Sequence, residues 1–309
     1  MYRQMIGLLH HAISLLDEQG REEVIRFILS QQNPDGGFMD RGGKSDWYYS
    51  LFGMLILSAW GMETGKGKEE KGKGKREEDV DSRLTDRNLQ PVAFSPQLVD
   101  KSLLKLSRFV LGQSSTEIPG FIEQCCVVLL QKELKSSQIS WISNIVSLGR
   151  SFSKERYSIN LSYRSFVLFL TLDCVFPFRR ILNVGIRKMS ARTTVDANSP
   201  CSEVAAKVFM QKMMNRDGNS EQNLLKKFAC ETGGFKAFLQ LQQADMLSTA
   251  VALFAMNYAQ YDLRLLKPGC LEFIQQNFAC GAFLSGDGDQ TADTEYTFYG
   301  LLALGLLAE

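Results

Sequence analysis

The ten residues "GDGDQTADTE" near the C-terminus hold Asp287, Asp289, Asp293 and Glu295. Carboxylates at such short spacing suit a hard cation, which prefers oxygen ligands, although the run lacks the full calcium-loop pattern. Asp293 and Glu295 could equally serve as acid or base, if burial or a neighbouring charge brings one carboxyl into range. The plainer use is mechanical: a solvated turn ending in an Asp that caps the next helix. Asp245, in "QQADMLSTA", stands in the same relation to the apolar run that follows it. Other metal-ligating residue types are poorly placed. The only histidines, His10 and His11, lie in an amphipathic N-terminal stretch, where a surface or hydrogen-bonded helical role is the simpler reading. Seven cysteines, an odd number including the adjacent Cys125 and Cys126, sit mostly in apolar text and read as free buried thiols of a reducing, cytoplasmic compartment.

The elements that would position these residues repeat. Aligned on Asp46, Asp245 and Asp293, the fourth residue on is Ser50, Thr249 or Thr297, and the seventh is Gly53, Ala252 or Gly300. Upstream of each Asp lies a glycine-aromatic turn ending at Phe38, Phe235 or Phe283. Glycine can end one helix and reverse the chain, because it carries no side-chain penalty at positive φ. The Asp can accept hydrogen bonds from the free N–H groups of the next helix and favours the positive end of its dipole. The Ser or Thr lies one turn later on the same face.

The helix after each Asp is apolar nearly all round, as in Leu51, Phe52, Met54, Leu55, Ile56 and Leu57, so it belongs inside. The helix before the first turn, "REEVIRFILSQQ", is amphipathic and belongs outside. Stacking outer-inner hairpins around a ring satisfies both kinds, and the 48-residue step from Asp245 to Asp293 divides the chain into about six units. Ser95-Pro96 and Ser199-Pro200 offer further inner-helix starts, each a Ser cap followed by proline at the first helical position. Residues 119 to 180 show helical text without a legible turn. Thr64 to Arg87 is rich in glycine and mixed charge, with almost nothing apolar to offset its ordering entropy, and is expected to be a flexible charged loop. The expectation is all-α, with one ring spanning 1–309.

"FILSQQNPDGGF" (Phe27 to Phe38) resembles the glutamine-aromatic repeat of triterpene cyclases, with Phe38 in place of the usual tryptophan. "GGF" followed by an Asp and a Tyr/Ser/Thr-rich apolar helix is similar to the repeats of protein prenyltransferase β subunits. The resemblance implies an α/α toroid of six inner and six outer helices, whose greasy central cavity holds an isoprenoid chain in the family's enzymes. It also implies that Trp47, Tyr48, Tyr49, Phe254, Tyr296 and Tyr299 line that cavity, where aromatic π faces can stabilise a carbocation. Asp245, Asp293 and Glu295 would then be acid, base or anchors for a diphosphate-bound metal. Core packing is the competing role for the aromatics.

The family's catalytic signatures are altered. Its zinc is held by an Asp, a Cys two residues later and a His in the last repeat; here those positions are Asp245, Leu247 and Tyr296. No zinc is expected, and no pattern calls for magnesium. The D-x-D-D acid run of triterpene cyclases is also missing. Two functions follow: binding or processing an isoprenoid-type ligand without a zinc thiolate, or a non-catalytic toroid that binds a lipid or a protein partner. Thirty-five basic against thirty-four acidic residues give no field to attract nucleic acid. The N-terminus shows no signal-peptide pattern, and the longest apolar runs, Phe166 to Leu172 and Phe298 to Ala308, fall short of the ~20 residues that span a bilayer.

Overall fold

The computed structural model describes residues 2–70, 96–113, 120–134, 147–148, 151, 161–175, 194–216 and 218–308. Its helices are α1 (Tyr2–Leu15), α2 (Glu18–Ser30), α3 (Trp47–Glu70), α4 (Pro96–Gln113), α5 (Phe121–Glu133) and α6 (Leu161–Val175), then α7 (Cys201–Met213), α8 (Asn219–Lys226), α9 (Met246–Tyr258), α10 (Lys267–Gln276) and α11 (Thr294–Leu307). Two-residue strands form two antiparallel hairpins at the turns: β1 (Phe38–Met39) with β2 (Ser45–Asp46), and β3 (Phe278–Ala279) with β4 (Ala282–Phe283).

Six helices form an inner ring. α3 packs on α5, then α5 on α6, α6 on α7, α7 on α9, α9 on α11, and α11 returns to α3. The apolar-all-round character of α3, α9 and α11 finds its reason here, since each meets neighbours on both sides and the axis in front. α2, α4, α8 and α10 lie outside. The expected toroid is therefore what the chain forms, and one continuous core cluster runs from Tyr2 to Leu307.

The repeated turn explains both the spacing and the ring. In all three copies the Ser or Thr four residues after the Asp accepts the N–H of the turn phenylalanine: Phe38 to Ser50 Oγ at 2.9 Å, Phe235 to Thr249 Oγ1 at 2.8 Å and Phe283 to Thr297 Oγ1 at 3.3 Å. The phenyl ring then packs where the seventh residue is small; any Cβ on Gly53 or Gly300 would run into Phe38 or Phe283. Gly36, Gly233 and Gly281 all have positive φ (99°, 95° and 79°), and each presses against the backbone of an outer helix. A Cβ there would collide with the carbonyl of Lys105 in α4, Gly269 in α10 and Glu23 in α2 respectively. The third contact joins the last repeat to the first outer helix, so the ring closes by the same means that joins consecutive repeats.

α1 belongs to neither ring layer. It packs into the seam between α11 and α3, with Gly305 against the backbone of Leu8 and His10 Nδ1 at 3.2 Å from the Ala59 carbonyl oxygen. Its first turn reaches α6 and the C-terminal ends of the inner helices.

Three sequence expectations need correction. Ser95-Pro96 precedes an outer helix, α4, and the inner helix of that hairpin is α5, which starts after Gly120. Proline and serine mark a helix start without saying which layer the helix joins. At Ser199-Pro200 the inner helix does follow, but Pro200 itself is the N-cap and Asp196 Oδ1 accepts from the Ser199 N–H at 3.2 Å. α3 runs on to Glu70, through the first part of the segment read as a loop; adding Lys66, Lys68, Glu69 and Glu70 to an existing helix is far easier than nucleating one. Residues 71–87 of that loop, and about half of the central stretch without a legible turn, lie outside the described residues.

Candidate functional site

The inner helices share a direction, so their N-terminal ends form one rim, capped by Asp side chains at α3, α9 and α11. Asp46 Oδ1 accepts from the N–H of Tyr48 at 2.7 Å and of Tyr49 at 3.1 Å; Asp245 Oδ2 accepts from Ser248 at 2.7 Å, and Asp293 Oδ1 from Tyr296 at 2.8 Å. Two of the three carboxylates singled out for chemistry, Asp245 and Asp293, are thus helix caps. Asp293 has a second task. Arg41, in the β1–β2 loop of the first repeat, reaches into the last one, bonding Asp293 Oδ2 through Nε and Asp289 Oδ2 through Nη1, each at 2.7 Å. Its guanidinium lies 5.2 Å from the Tyr296 ring centroid.

Below the rim, on the axis, is a cavity of about 90 Å³ to which every inner helix contributes side chains. Tyr48 and Phe52 come from α3, Cys126 from α5, Tyr163 and Phe166 from α6, Phe209 from α7, Phe254 from α9, and Phe298 and Tyr299 from α11. Phe52 and Phe298 stack with centroids 4.3 Å apart on one wall; Phe209 and Phe254 stack at 5.7 Å on another. Three tyrosine hydroxyls gather toward the rim: Tyr48 Oη lies 2.9 Å from Tyr299 Oη and 3.4 Å from Tyr163 Oη. Burial raises the pKa of all three phenols, which keeps them as O–H donors at neutral pH. Cys126 is likewise pushed up by burial and stays an unreactive thiol.

Of the six aromatics expected on the cavity wall, Tyr48, Phe254 and Tyr299 are there. Trp47 packs against Phe109 of the outer helix α4, with centroids 5.0 Å apart. Tyr49 turns to Glu295, its Oη 3.4 Å from Oε2. Tyr296 lines a separate open groove of about 610 Å³ on the rim. Consecutive residues of a helix point 100° apart, so Trp47, Tyr48 and Tyr49 could not all face the axis. Sequence reading missed Tyr163, Phe166 and Phe209; no legible turn aligns α6 with the other inner helices, and the Ser199-Pro200 start of α7 does not fix the angular setting of Phe209.

The groove brings together Asp245, Leu247 and Tyr296 with Asp287, Phe238, Leu241 and Gln242, and it shares Ser202 as a wall with the axial cavity. Asp245 is pushed up by burial and by the nearby Asp287. Leu247 offers no donor atom and Tyr296 only a phenol. Among the described residues no three His, Cys, Asp or Glu side chains converge as a metal-binding group. Among the described residues Glu295 is the carboxyl raised furthest: burial first, then the Asp293 charge, raise it to about 7. At that value it could hold or release a proton at neutral pH beside the tyrosine hydroxyls.

A ring of outer-inner hairpins around an apolar axis, with capped inner helices and a groove at its rim, defines the α/α toroid class. A family model described as the prenyltransferase alpha-alpha toroid domain matches residues 6–93 and 126–309, and the chain belongs to that family. The apo structure of the type II terpene cyclase MstE from Scytonema superposes with a TM-score of 0.52 over 98% of this chain and 97% of that one, at 11% sequence identity, a likeness of fold. Among curated proteins, no sequence matches this chain. Among the described residues no helix is long and apolar enough to cross a membrane.

Proposed function

We propose that the protein binds an isoprenoid-type hydrophobic ligand, its chain running from the rim groove toward the axial cavity, without a zinc-bound thiolate. The observation that carries this is the pairing of the two spaces across Ser202: an open groove in the size range of ligand sites, beside an apolar cavity built by all six inner helices. Zinc chemistry is left out because Leu247 and Tyr296 stand where ligands would be needed. If the ligand is also processed, Glu295 is the acid or base, since Asp245 and Asp293 are committed to capping and, for Asp293, to Arg41.

The second reading, a scaffold with a closed centre, draws on size. A cavity of about 90 Å³ is smaller than the ~150 Å³ that holds a benzene. An isoprenoid chain enters only if Phe209, Phe254 or their neighbours turn aside. Incubating the protein with polyprenyl diphosphates and the matching alcohols, then analysing retained lipid by mass spectrometry, separates the two. Stoichiometric retention of a chain, lost when Ala205 is enlarged to Phe, supports the binding reading. No retention of any length leaves the scaffold.

A further inference from the structure

At the opposite end of the axial cavity from the tyrosine cluster, α1 contributes Tyr2 and Met5 to the wall. Tyr2 is 3% exposed, and its hydroxyl has no hydrogen-bond partner. Glu133 and Cys174, at the ends of α5 and α6, act on Tyr2 electrostatically and contact each other, Sγ to Oε1 at 3.9 Å. A buried O–H is normally satisfied, because leaving it unmet forfeits the bonds it made to water. α1 itself is held in the seam, by Leu8 against Gly305 and by His10 against Ala59.

Among the described residues the cavity's polarity is ordered along the axis: hydroxyls of Tyr48, Tyr163 and Tyr299 that answer one another near the rim, an apolar middle, and the unanswered Tyr2 hydroxyl at the far end. We propose that Tyr2 is a recognition residue for the leading end of the ligand, donating its hydroxyl to an acceptor oxygen carried there. The ligand class this selects is an isoprenoid-type chain oxygenated at the terminus that enters first, as an alcohol, carbonyl or ether. A plain hydrocarbon end would leave the donor unmet and bind more weakly. This rests on the reading of the axis as a chain-binding site.

The test uses the full chain and two probes, farnesol and farnesol bearing a second hydroxyl at its far terminus, titrated calorimetrically into wild type and Tyr2→Phe. Wild type should prefer the doubly hydroxylated probe by about tenfold, and Tyr2→Phe should erase that preference. A preference that is absent in wild type, or survives in Tyr2→Phe, overturns the assignment of Tyr2 while the axial binding reading stands. Failure of both probes to bind wild type removes the binding reading and this inference with it. Ligand-free melting gives an independent check: removing an unanswered hydroxyl should raise Tm slightly, and a fall in Tm would show that the hydroxyl already has a partner and overturn the assignment.

Discussion

Two seams of the ring make the same backbone contact in different circumstances. At the internal seam, Gly233 meets Gly269 of an outer helix 36 residues further along the chain. At the closing seam, Gly281 meets Glu23, from the opposite end of the sequence. The closing seam has two additions: the Arg41 bridge to Asp293 and Asp289, and the α1 wedge against Gly305. Five residues before Asp46 stands Arg41, whereas five before Asp293, the matching position across the internal seam, stands Gly288, so the internal seam has no cation in that place. Joining segments that are distant in sequence carries a larger loop-closure cost, and the extra contacts sit where that cost falls.

The harshest way to break the comparison is a β-branched residue at the glycine itself. Gly281→Val and Gly233→Val each force a rare φ and a backbone collision, and each should cost about 3–5 kcal/mol in denaturant unfolding. Only Gly281→Val should in addition expose α2 and α11 together to limited proteolysis. Equal proteolysis patterns would mean that the two seams are equivalent. Next come the turn phenylalanines. Phe235 and Phe283 are both buried, at 0% and 2% exposure, so truncation to Ala should cost a similar ~3–5 kcal/mol at either seam. A marked inequality would show that burial is not what these rings contribute.

Arg41→Met tests the addition alone. Asp293 is almost wholly buried, but the Arg41 side chain is 40% exposed, so the loss should be about 1–2 kcal/mol. A double-mutant cycle with Asp293→Asn should find most of it as coupling between the two residues. The gentlest perturbation is a change of pH. Glu295 has a folded pKa raised to about 7, mainly by burial, against 4.5 unfolded. Between those values the folded protein holds a proton that the unfolded chain releases, so stability falls as pH rises through the window. Wild type should lose about 2 kcal/mol between about pH 5 and about pH 7.5, and Glu295→Gln should flatten that decline.

The architecture was readable where local chemistry demands particular residues. A positive-φ turn needs glycine, a free helix end needs a carboxylate, and the phenylalanine N–H needs the hydroxyl of Ser50, Thr249 or Thr297; together these exposed the repeat and its closure. The site was only half readable. A spacing rule finds an apolar helix but not its angular setting, so Trp47 and Tyr49 were assigned to an axis that Tyr48 alone of the three faces. Arg41 gives no local sign of its partner, which lies 252 residues away. The wedge position of α1 was hidden for a related reason: an amphipathic helix states that it has one buried face, not what buries it.

The backbone kiss between Gly281 and Glu23 has a consequence for biogenesis. A ribosome delivers α2 long before the turn that covers it, so through that part of translation the first hairpin is an arc without its closing neighbour. Its greasy flank stays uncovered until that turn and α11 have followed.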